Sequence, residues 1–297
     1  MNSPVDTCRA VLERHSKSFA LAARLLSKEE GEDVAVLYAW CRRADDTIDL
    51  PGVEAPRNAL ARLEHELDRV YAGEPQREPV LSAFQRLVKT KRIPEEYPRA
   101  LLRGLAMDVA GVRYTTLEEL LRYCFNVAGT VGLMSCHVFG LTDARALERA
   151  AHLGIAMQLT NVSRDVLEDS RNGRVYLPER LLSTRQAGSR AIRDALAKLL
   201  DAAEQYYRSA DLGIRALPWR PALAVRAARL LYSAIGRRIR ANGYDVLRGR
   251  TVVTGARKLM LVGCALVLAL LELPARWFSR AAPAQLPTVR FSDVVRL

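Results

Sequence analysis

Two pairs of aspartates, each with a spacing of four residues, are the side chains best suited to chemistry. Asp45 and Asp49 lie in one predicted helix, and Asp165 and Asp169 lie in another. Residues four apart share one face of an α-helix, so each pair presents two carboxylates in the same direction. Mg²⁺ usually takes one or two carboxylates together with waters and substrate phosphate oxygens. The spacing therefore indicates divalent metal ions and a phosphorylated substrate, provided that the two pairs face each other.

Positive charge is expected next to both pairs, because like charges four residues apart destabilise an isolated helix by about 0.2–0.5 kcal/mol. Arg42, Arg164, Arg171 and Arg174 stand close to the aspartates in the sequence. Metal ions and arginines together would hold a diphosphate and stabilise its departure as a leaving group. Two other kinds of metal site are excluded by pattern: a di-iron bundle needs Glu-x-x-His pairs, and a calcium loop needs a glycine within a spaced loop.

The helix that carries the second pair has a polar stripe beside an apolar one. Gln158 and Asn161 continue the stripe of Asp165 and Asp169, with successive spacings of three, four and four residues. Amide side chains are weak choices for an exposed helical face, which favours the wall of a polar cavity over a solvated surface. The apolar stripe, about 80° away around the helix, consists of Ile155, Leu159, Val162 and Val166.

The composition limits the number of domains and the kinds of partner that we expect. With 297 residues, 49% of them hydrophobic, the chain can bury a substantial core. No linker rich in Ser, Gly or Pro divides it, so we expect one domain over residues 1–280 and an irregular tail over residues 281–297. The net charge of +12 suits an anionic partner. Nucleic acid is not expected, because Arg237-Arg238-Ile239-Arg240 is the only dense basic cluster and no aromatic residues interleave it.

Cysteine usage and the amino-terminal residues favour the cytoplasm. The five cysteines are an odd number without CxxC spacing, which is typical of a reduced chain that lacks a zinc site. The sequence begins Met-Asn-Ser-Pro-Val-Asp-Thr, which lacks the apolar run of a signal peptide. We therefore expect a cytoplasmic protein, and peripheral contact of that protein with a membrane is the alternative to test.

Helical periodicity dominates the chain, and no run alternates as a β-strand does, so the predicted class is all-α. Single helices are predicted over residues 5–26, 117–139 and 144–172. The second contains Gly129 and Gly132, each of which costs about 1 kcal/mol relative to alanine in a helix interior. Close helix packing and a ligand-facing wall both explain glycines at these positions.

Residues 259–271 form a run of thirteen residues without a charge. A helix that spans a bilayer needs about 20 apolar residues, so this run is too short to cross one. We expect a buried core helix here. The alternative is a helix in contact with a membrane surface, flanked by Arg257, Lys258 and Arg276.

Several motifs resemble those of the squalene and phytoene synthase family, the head-to-head trans-prenyl transferases, and above all its bacterial phytoene synthases. The most specific is Arg-Asp-x-x-Glu-Asp at residues 164–169, followed by Gly-Arg-Val-Tyr-Leu-Pro at 173–178. Further matches are His-Ser-Lys-Ser-Phe at 15–19, the segment 38–49, Arg-Tyr at 113–114 and the segment 123–134, with a weaker match at 242–245. The resemblance covers most of the chain to about residue 250.

The resemblance implies an isoprenoid synthase fold, a single helical bundle around a central cavity with metal ions at its mouth. The implied ligands of Mg²⁺, or of Mn²⁺ in its place, are Asp45, Asp49, Asp165 and Asp169. The positions implied at or near the diphosphates are Arg42, Gln158, Asn161, Arg164 and Arg174. The implied tunnel-lining or cation-facing positions are Phe19, Tyr38, Tyr123, Val127 and Val131. The implied flap at the mouth is His15, Ser16 and Lys17, and Tyr244 is carried over from the weaker match.

The implied reaction condenses two geranylgeranyl diphosphates head to head into phytoene through prephytoene diphosphate, with release of pyrophosphate, as in carotenoid biosynthesis. NADPH is not expected for it. The alternative is a C30 synthase that makes squalene, dehydrosqualene or hydroxysqualene from farnesyl diphosphate, because residues at the tunnel floor set the chain length. A non-catalytic scaffold that keeps the fold would be marked by loss of the motif aspartates, and all four are present.

Overall fold

Thirteen α-helices account for most of the residues that the structure describes. The structure is a computed structural model that describes residues 3–49, 55–182 and 188–278, with side chains as far as residue 272. These residues contain no β-strand, which confirms the all-α prediction; the predicted tail at 281–297 lies outside them. The helices are α1 (Pro4–His15), α2 (Lys17–Ala23), α3 (Lys28–Asp49), α4 (Pro56–Tyr71), α5 (Pro79–Lys91), α6 (Glu96–Val109), α7 (Leu117–Cys124), α8 (Thr130–Val138), α9 (Ala144–Arg164), α10 (Val166–Arg171), α11 (Ser189–Ile214), α12 (Trp219–Ala241) and α13 (Gly255–Phe278).

Helix α9 runs through the centre of the bundle, where it packs against α8, α11 and α12. Its apolar stripe is buried, as the sequence predicts: Ile155, Leu159 and Val162 are at most 4% exposed. Helices α1, α3 and α5 pack against one another and complete the wall on the side of the first aspartate pair. Helix α3, which carries the first pair, and α9, which ends directly before Asp165, therefore belong to one contiguous core.

The helix predicted over residues 5–26 is two helices. Ser16 has an extended backbone, with φ −141° and ψ 92°, and its hydroxyl accepts the backbone N–H of Phe19 at 3.2 Å. Serine is a favoured N-cap because its side-chain oxygen satisfies a donor at the start of a helix. Helical periodicity survives such a one-residue break, which is why the break does not show in the hydrophobic pattern.

The helix predicted over residues 144–172 is also interrupted, at Asp165. This residue lies between α9 and α10 with φ −101° and ψ 13°. Because of the interruption, Asp169 lies on a separate short helix, α10, and its side chain does not follow the helical face of α9. The second aspartate pair therefore sits at a corner and not on one straight helical face.

The segment predicted as a helix over residues 117–139 contains a π-helical turn at Phe125–Gly129 between α7 and α8. Such turns are frequent at functional sites because they widen the helix. The glycines beyond it serve close packing: a Cβ on Gly132 would lie 2.2 Å from the Ala150 carbonyl oxygen, and one on Gly154 would lie 2.1 Å from that of Ala128. The glycines thus bring α8 and α9 into backbone contact.

Helix α13 is not the buried core helix that the run of residues 259–271 predicts. Only Leu261 and Ala265 are buried in its described part, whereas Leu259 is 65% and Leu271 70% exposed. The helix packs one face on α12, so one row of small and apolar side chains is enough to hold it. None of the helices in the described ranges combines the length and the apolarity needed to cross a membrane.

Candidate active site

Six elements enclose a cavity of about 340 Å³ in the middle of the bundle. They are α2, α3, α9, α11, α12 and the segment that contains the π-helical turn and α8. Polar side chains gather at one end of the cavity, where Asp45, Gln158 and Asn161 line it, and the opposite end is mostly apolar, with Arg149 as its charged residue. Residues predicted from the resemblance that line it are Phe19, Tyr38, Asp45, Val127, Val131, Gln158 and Asn161.

The length of the cavity can be measured along α9. Residues from Ala146 to Asn161 contact it, and fifteen helical steps correspond to about 22 Å. The mouth is at Asn161, and the deep end is lined by Leu141, Leu217 and Val225. Eleven of the lining residues are alanine or glycine, so side chains from several helices leave room for a long, narrow ligand.

Asp45 is the aspartate of the first pair that lines the cavity. Burial, together with the nearby charge of Asp49, raises the pKa of Asp45 to about 7. Asp49 itself is turned toward the second motif and accepts a hydrogen bond from Arg174 at 2.5 Å. Arg42 does not share this arrangement, because its guanidinium pairs with Asp46 one turn along the same helix, at 2.5 Å.

The aspartates of the second pair differ in their partners. Asp165 accepts hydrogen bonds from Arg164 at 2.5 and 2.8 Å, and the Arg250 Nε lies 3.0 Å from its carboxylate. Burial and the adjacent charge of Asp165 raise the pKa of Asp169 to about 7. Arg250 was not found from the sequence, because it lies 85 residues away from Asp165 in a loop without a motif.

Arg174 joins the two motifs. It follows the second pair in sequence and its hydrogen bond to Asp49 of the first pair spans 125 residues. Arg174 thus links the two pairs, because it donates to Asp49 and also acts on the charge of Asp169. Both pairs border one polar mouth. The pKa values of Asp45 and Asp169 are raised, whereas Asp49 and Asp165 accept hydrogen bonds from arginines.

A fifth carboxylate, that of Asp108 in α6, lies near both aspartate pairs. It accepts hydrogen bonds from the hydroxyls of Tyr176 at 2.8 Å and Tyr123 at 3.0 Å. Its charge acts on both Asp45 and Asp169. Burial raises the pKa of Asp108, while its tyrosine hydrogen bonds and Arg174 oppose the rise. Asp108 is therefore a carboxyl group held by two tyrosines and close enough to both aspartate pairs to act on their pKa values.

The position of Tyr123 differs from the tunnel-lining one that the resemblance implies. Its side chain is 3% exposed and its ring stacks on Tyr176, with centroids 5.0 Å apart, and packs against Tyr114. It is not among the residues that contact the cavity. The hydrogen bond to Asp108 explains this placement, because a buried tyrosine hydroxyl needs a partner.

We expect Asp108→Asn to reduce product formation about 10- to 100-fold, the usual effect of losing a residue that orients metal-binding groups. An amide keeps the size of the side chain but removes the charge and one acceptor for the two tyrosines. The effect should appear as a weaker apparent affinity for Mg²⁺, measured by titrating the ion in a product assay. Asp211→Asn is the matched control, because Asp211 is a half-buried carboxylate that pairs with Arg229 instead.

The control variant Asp211→Asn should lose stability and keep the Mg²⁺ dependence of the parent protein. If Asp108→Asn has an unchanged Mg²⁺ affinity and turnover, the Asp108 cluster only packs α6 against the loop that carries Tyr176.

Aromatic rings line the cavity just inside the mouth. Phe19 of α2 lies between Tyr38, at a centroid distance of 6.0 Å, and Tyr232, at 5.2 Å. Tyr232 of α12 is a cavity residue that was not found from the sequence, since nothing marks one tyrosine in a helix as ligand-facing. Burial raises the pKa of Tyr232 to about 12, so its hydroxyl stays neutral.

Cations lie on the same side as the predicted flap. His15 and Lys17 are exposed and flank Ser16, which caps α2. Burial and the nearby charges of Lys17 and Arg164 lower the pKa of Lys258, so three cations share this corner. Lys258 was also not found from the sequence. Such a group suits an anion, because mutual repulsion among the cations is relieved when a negative charge enters.

The two amides of the polar stripe are held together at the mouth. Asn161 Nδ2 donates to Gln158 Oε1 at 3.3 Å, and Asn161 Oδ1 is buried without a hydrogen-bond partner. A buried acceptor of this kind is costly unless a ligand or ion satisfies it. Tyr244, in contrast, does not line the cavity; its hydroxyl accepts from Arg240 at 3.3 Å.

The carboxylates at the mouth fit a divalent cation in their chemistry without forming a closed site. In the described part of the chain, no three His, Cys, Asp or Glu side chains converge on one point as metal ligands. Mg²⁺ needs only one or two protein carboxylates when phosphate oxygens and waters complete its shell. Burial and neighbouring carboxylates raise the pKa of Asp45 and that of Asp169 to about 7, so a nearby cation would stabilise the charged form of both half-buried side chains. The donor set therefore fits Mg²⁺ or Mn²⁺ bound jointly with a diphosphate.

Solved structures share this architecture. A dehydrosqualene synthase in complex with a ligand superposes with a TM-score of 0.82 at 27% identity, over 89% of this chain and 96% of that one. The squalene synthase HpnC from Alicyclobacillus acidocaldarius gives a TM-score of 0.75 at 26% identity, over 82% and 95%. The isoprenoid synthase fold expected from the motifs is thus confirmed.

Sequence comparison gives the same relationship. The 15-cis-phytoene synthase of Paracoccus sp. strain N81106 is 38% identical over 89% of this chain and 91% of its own length. That of Pantoea ananas is 38% identical over 88% and 91%. The family model of squalene/phytoene synthases matches residues 12–257. The chain therefore belongs to the squalene/phytoene synthase family.

Proposed function

We propose that this prenyltransferase condenses two molecules of geranylgeranyl diphosphate head to head into phytoene, with prephytoene diphosphate as the intermediate. The observation that carries the proposal is the pairing of Arg174 with Asp49, which joins both aspartate motifs at the polar mouth of an apolar cavity. The 15-cis-phytoene synthases that are 38% identical to the chain support this reaction above others in the family. The sequence expectation and the geometry agree on the substrate class.

The mouth is proposed to bind the diphosphate. Asp45, Asp49, Asp165 and Asp169 would hold Mg²⁺ there, and the ion, when bound, would neutralise the charge of the departing pyrophosphate. Arginine binds phosphate oxygens through two N–H groups at once, so the guanidinium of Arg174 is placed to share its donors between Asp49 and the diphosphate.

The Lys17, Arg164 and Lys258 corner is proposed to hold the second diphosphate or the released pyrophosphate. Asn161 Oδ1 and Gln158 add acceptors for metal-bound water or for a substrate proton donor. These residues bind and orient, and they place the allylic carbon of one substrate next to the double bond of the other. Holding two reactants in such geometry contributes a large part of the rate in bimolecular reactions.

The cavity below is proposed to protect the carbocations. Its lining is apolar, which excludes water that would otherwise trap a cation as an alcohol. The faces of Tyr38, Phe19 and Tyr232 lie where the positive charge first forms, and aromatic faces attract cations. Arg149 is the charged residue at the deep end, and its guanidinium is turned to Ser209, donating to its carbonyl and hydroxyl oxygens at 3.1 Å.

Substrate length is the point on which the proposal can be tested against its alternative. The alternative, a C30 synthase that uses farnesyl diphosphate, is favoured by the solved neighbours, which are dehydrosqualene and squalene synthases. The length of about 22 Å along α9 and the eleven small lining residues favour the longer geranylgeranyl chain. We therefore propose the C40 product.

A competition assay tests this choice. Purified protein with Mg²⁺ receives equal concentrations of farnesyl and geranylgeranyl diphosphate, with and without NADPH, and the hydrocarbons are identified by mass. We expect phytoene as the main product, unaffected by NADPH and absent when EDTA removes the metal. Squalene or dehydrosqualene as the main product would replace the C40 assignment by the C30 one, and product formed in EDTA would refute the role of the metal.

We also propose that the protein works at the surface of a membrane from the cytoplasmic side. Two observations support this: the apolar face of α13 that the fold leaves exposed and the net charge of +12, which attracts anionic lipids. The hydrocarbon product also needs an apolar phase to enter.

A further inference from the structure

A polar groove on the surface lies between α11 and α12, apart from the central cavity. Its volume is about 590 Å³. Arg237 and Arg240 of α12, both from the only dense basic cluster of the sequence, form one side of it. The other side is one face of α11, with residues at successive spacings of three, one and three. These residues are Asp201, Glu204, Gln205 and Arg208.

The two carboxylates of the groove face arginines. Asp201 lies 2.8 Å from the guanidinium of Arg240. Glu204 lies 3.7 Å from Arg229 and 3.9 Å from Arg208, and both distances are too long for a hydrogen bond. Ion pairs at a protein surface contribute only about 0–1 kcal/mol. Arg208, whose side chain is 74% exposed, is therefore available to a stronger acceptor.

Arg237 is the cation of the groove that pairs with no carboxylate in the part of the chain that the structure describes. Its guanidinium donates to Ser233 Oγ at 3.0 Å. The guanidinium of Arg229 donates to the same oxygen at 3.2 Å and is held in place by Asp211, at 2.8 and 2.9 Å. Two guanidinium groups thus converge on one hydroxyl, and the charge of Arg237 is left without an anion.

The groove lies on the same side of the molecule as the mouth of the central cavity. Partial burial lowers the pKa of Arg237, and the charge of Arg257 adds to this effect, so the first turn of α13 is close to the groove. Lys258, the next residue, is close to Lys17 at the mouth, whose charge adds to the effect of burial on the pKa of Lys258. Cations therefore continue from the mouth across the start of α13 to the groove.

We propose that this groove binds inorganic pyrophosphate, which Arg237 and Arg208 hold from its two sides. A guanidinium binds phosphate oxygens through two parallel N–H groups, and the exposed amide of Gln205 supplies a further donor. None of the six lining residues is apolar or aromatic. This favours a small inorganic anion over a prenyl diphosphate, whose tail would lie in water, and over a nucleotide, whose base would have no ring to stack on.

The binding of the anion does not depend on the reaction, but its source rests on the proposed function. The proposed condensation releases pyrophosphate at the mouth, next to the row of cations that leads to Arg237. Pyrophosphate that has moved to the groove leaves the mouth free for the next substrate.

Two variants that remove the same charge test the inference. Arg237→Gln removes the unpaired cation. Arg238→Gln is the matched control, because Arg238 is the next residue of α12, is also exposed and does not line the groove. The full-length proteins are titrated with sodium pyrophosphate in a calorimeter, in EDTA and without substrate. Any binding at the mouth is common to the three proteins, so the difference between them reports on the groove.

We expect Arg237→Gln to weaken the binding of pyrophosphate about tenfold, the size of effect that follows from the loss of hydrogen bonds to a charged group. Arg238→Gln should weaken it less than about twofold, because salt screens an exposed charge outside the site. Arg208→Gln should act in the same direction as Arg237→Gln. All three variants should keep the helical content of the parent and its rate of product formation in Mg²⁺.

Four results would overturn the inference. The first is a parent protein that binds no pyrophosphate, and the second is unchanged binding by Arg237→Gln. The third is equal weakening by Arg237→Gln and Arg238→Gln, which would reduce the effect to net charge. The fourth is lost turnover in folded Arg237→Gln, which would assign Arg237 to catalysis.

The titration contains no substrate, so the two proposals can fail separately. Protein that makes phytoene but whose pyrophosphate binding does not respond to Arg237→Gln refutes the groove alone. Protein that binds pyrophosphate through Arg237 but makes no hydrocarbon refutes the proposed function alone.

Discussion

Asp45→Asn is expected to lower the formation of phytoene at least about 10²- to 10³-fold, the range seen when one preorganised electrostatic group is removed from an active site. Asp45 is the motif aspartate that lines the cavity, so its carboxylate is closest to the bound substrate. Asparagine keeps the shape and removes the charge that a divalent cation needs. The measurement is the rate of hydrocarbon formation at saturating Mg²⁺.

The same substitution is expected to stabilise the metal-free protein. Burial and Asp49 raise the pKa of Asp45 to about 7, above its value of about 3.9 in the unfolded chain. The unfolded state therefore releases this proton first, and metal-free protein loses stability as the pH rises from about 4 to 7. In EDTA, the Tm of Asp45→Asn should exceed that of the parent at pH 7.5, and the difference should shrink toward pH 4.

Asp33→Asn is the matched control, because Asp33 lies on the same helix and pairs with Lys91 at 2.9 Å without contacting the cavity. It should retain activity. Near-normal turnover by Asp45→Asn would contradict the assignment of the mouth. A Tm difference that does not change with pH would contradict the described burial of Asp45.

Gly154→Ala is expected to destabilise the protein by about 1–3 kcal/mol or more, as overpacking does in a tightly packed core. A Cβ at this position would lie 2.1 Å from the Ala128 carbonyl oxygen and 2.5 Å from its carbon. Both are backbone atoms of the π-helical turn and cannot rotate away. Because Gly154 and Ala128 both line the cavity, activity should fall as well. Urea unfolding measures the loss of stability.

Gly263→Ala is the counterpart in α13. It also lies inside a helix, but a Cβ there would meet nothing within 4 Å, so we expect a gain of about 0.5–1 kcal/mol from the lower entropy of the unfolded chain. Opposite signs for the two variants would support the backbone contact of α9 with the turn. Equal stability of Gly154→Ala and the parent chain would refute it.

The chemistry at the mouth could be predicted from the sequence because helical geometry is fixed by covalent structure. Spacings of three and four residues place Gln158 and Asn161 on one face of α9, and the structure shows that this face lines the cavity. The interruption at Asp165 could not be predicted in the same way. It leaves the hydrophobic period intact on either side, and one partner of Asp165 there, Arg250, lies 85 residues away in the chain.

Asp108, Tyr232 and Lys258 were missed for a different reason. Each is a lone residue in an ordinary helical pattern, and its partners come from distant segments: Tyr176 lies 68 residues from Asp108. Periodicity reports which residues share a face of one helix, but not which helices meet. Tyr123 shows the same limit, since its motif was recognised while its hydrogen bond to Asp108 turned it away from the cavity.

Helix α13 shows why an apolar run alone does not predict burial. A run without charges has no polar face to be turned to water, so the pattern favours a core helix. Burial also requires neighbours on every side, and in the described residues α13 packs mainly against one helix, α12, along the row of Leu261 and Ala265. The apolar run therefore indicates an apolar environment for α13. In the described residues, the rest of the chain covers only one side of this helix.

The most direct test of the central claim is to count pyrophosphate against hydrocarbon in one reaction. Purified protein is incubated with geranylgeranyl diphosphate and Mg²⁺, with parallel samples in EDTA and with Asp45→Asn. We predict two pyrophosphates released for each phytoene formed, and neither product in EDTA or with the variant. Pyrophosphate released together with geranylgeraniol and no hydrocarbon, or turnover that persists in EDTA, would contradict a metal-dependent condensation at the joined aspartate pairs.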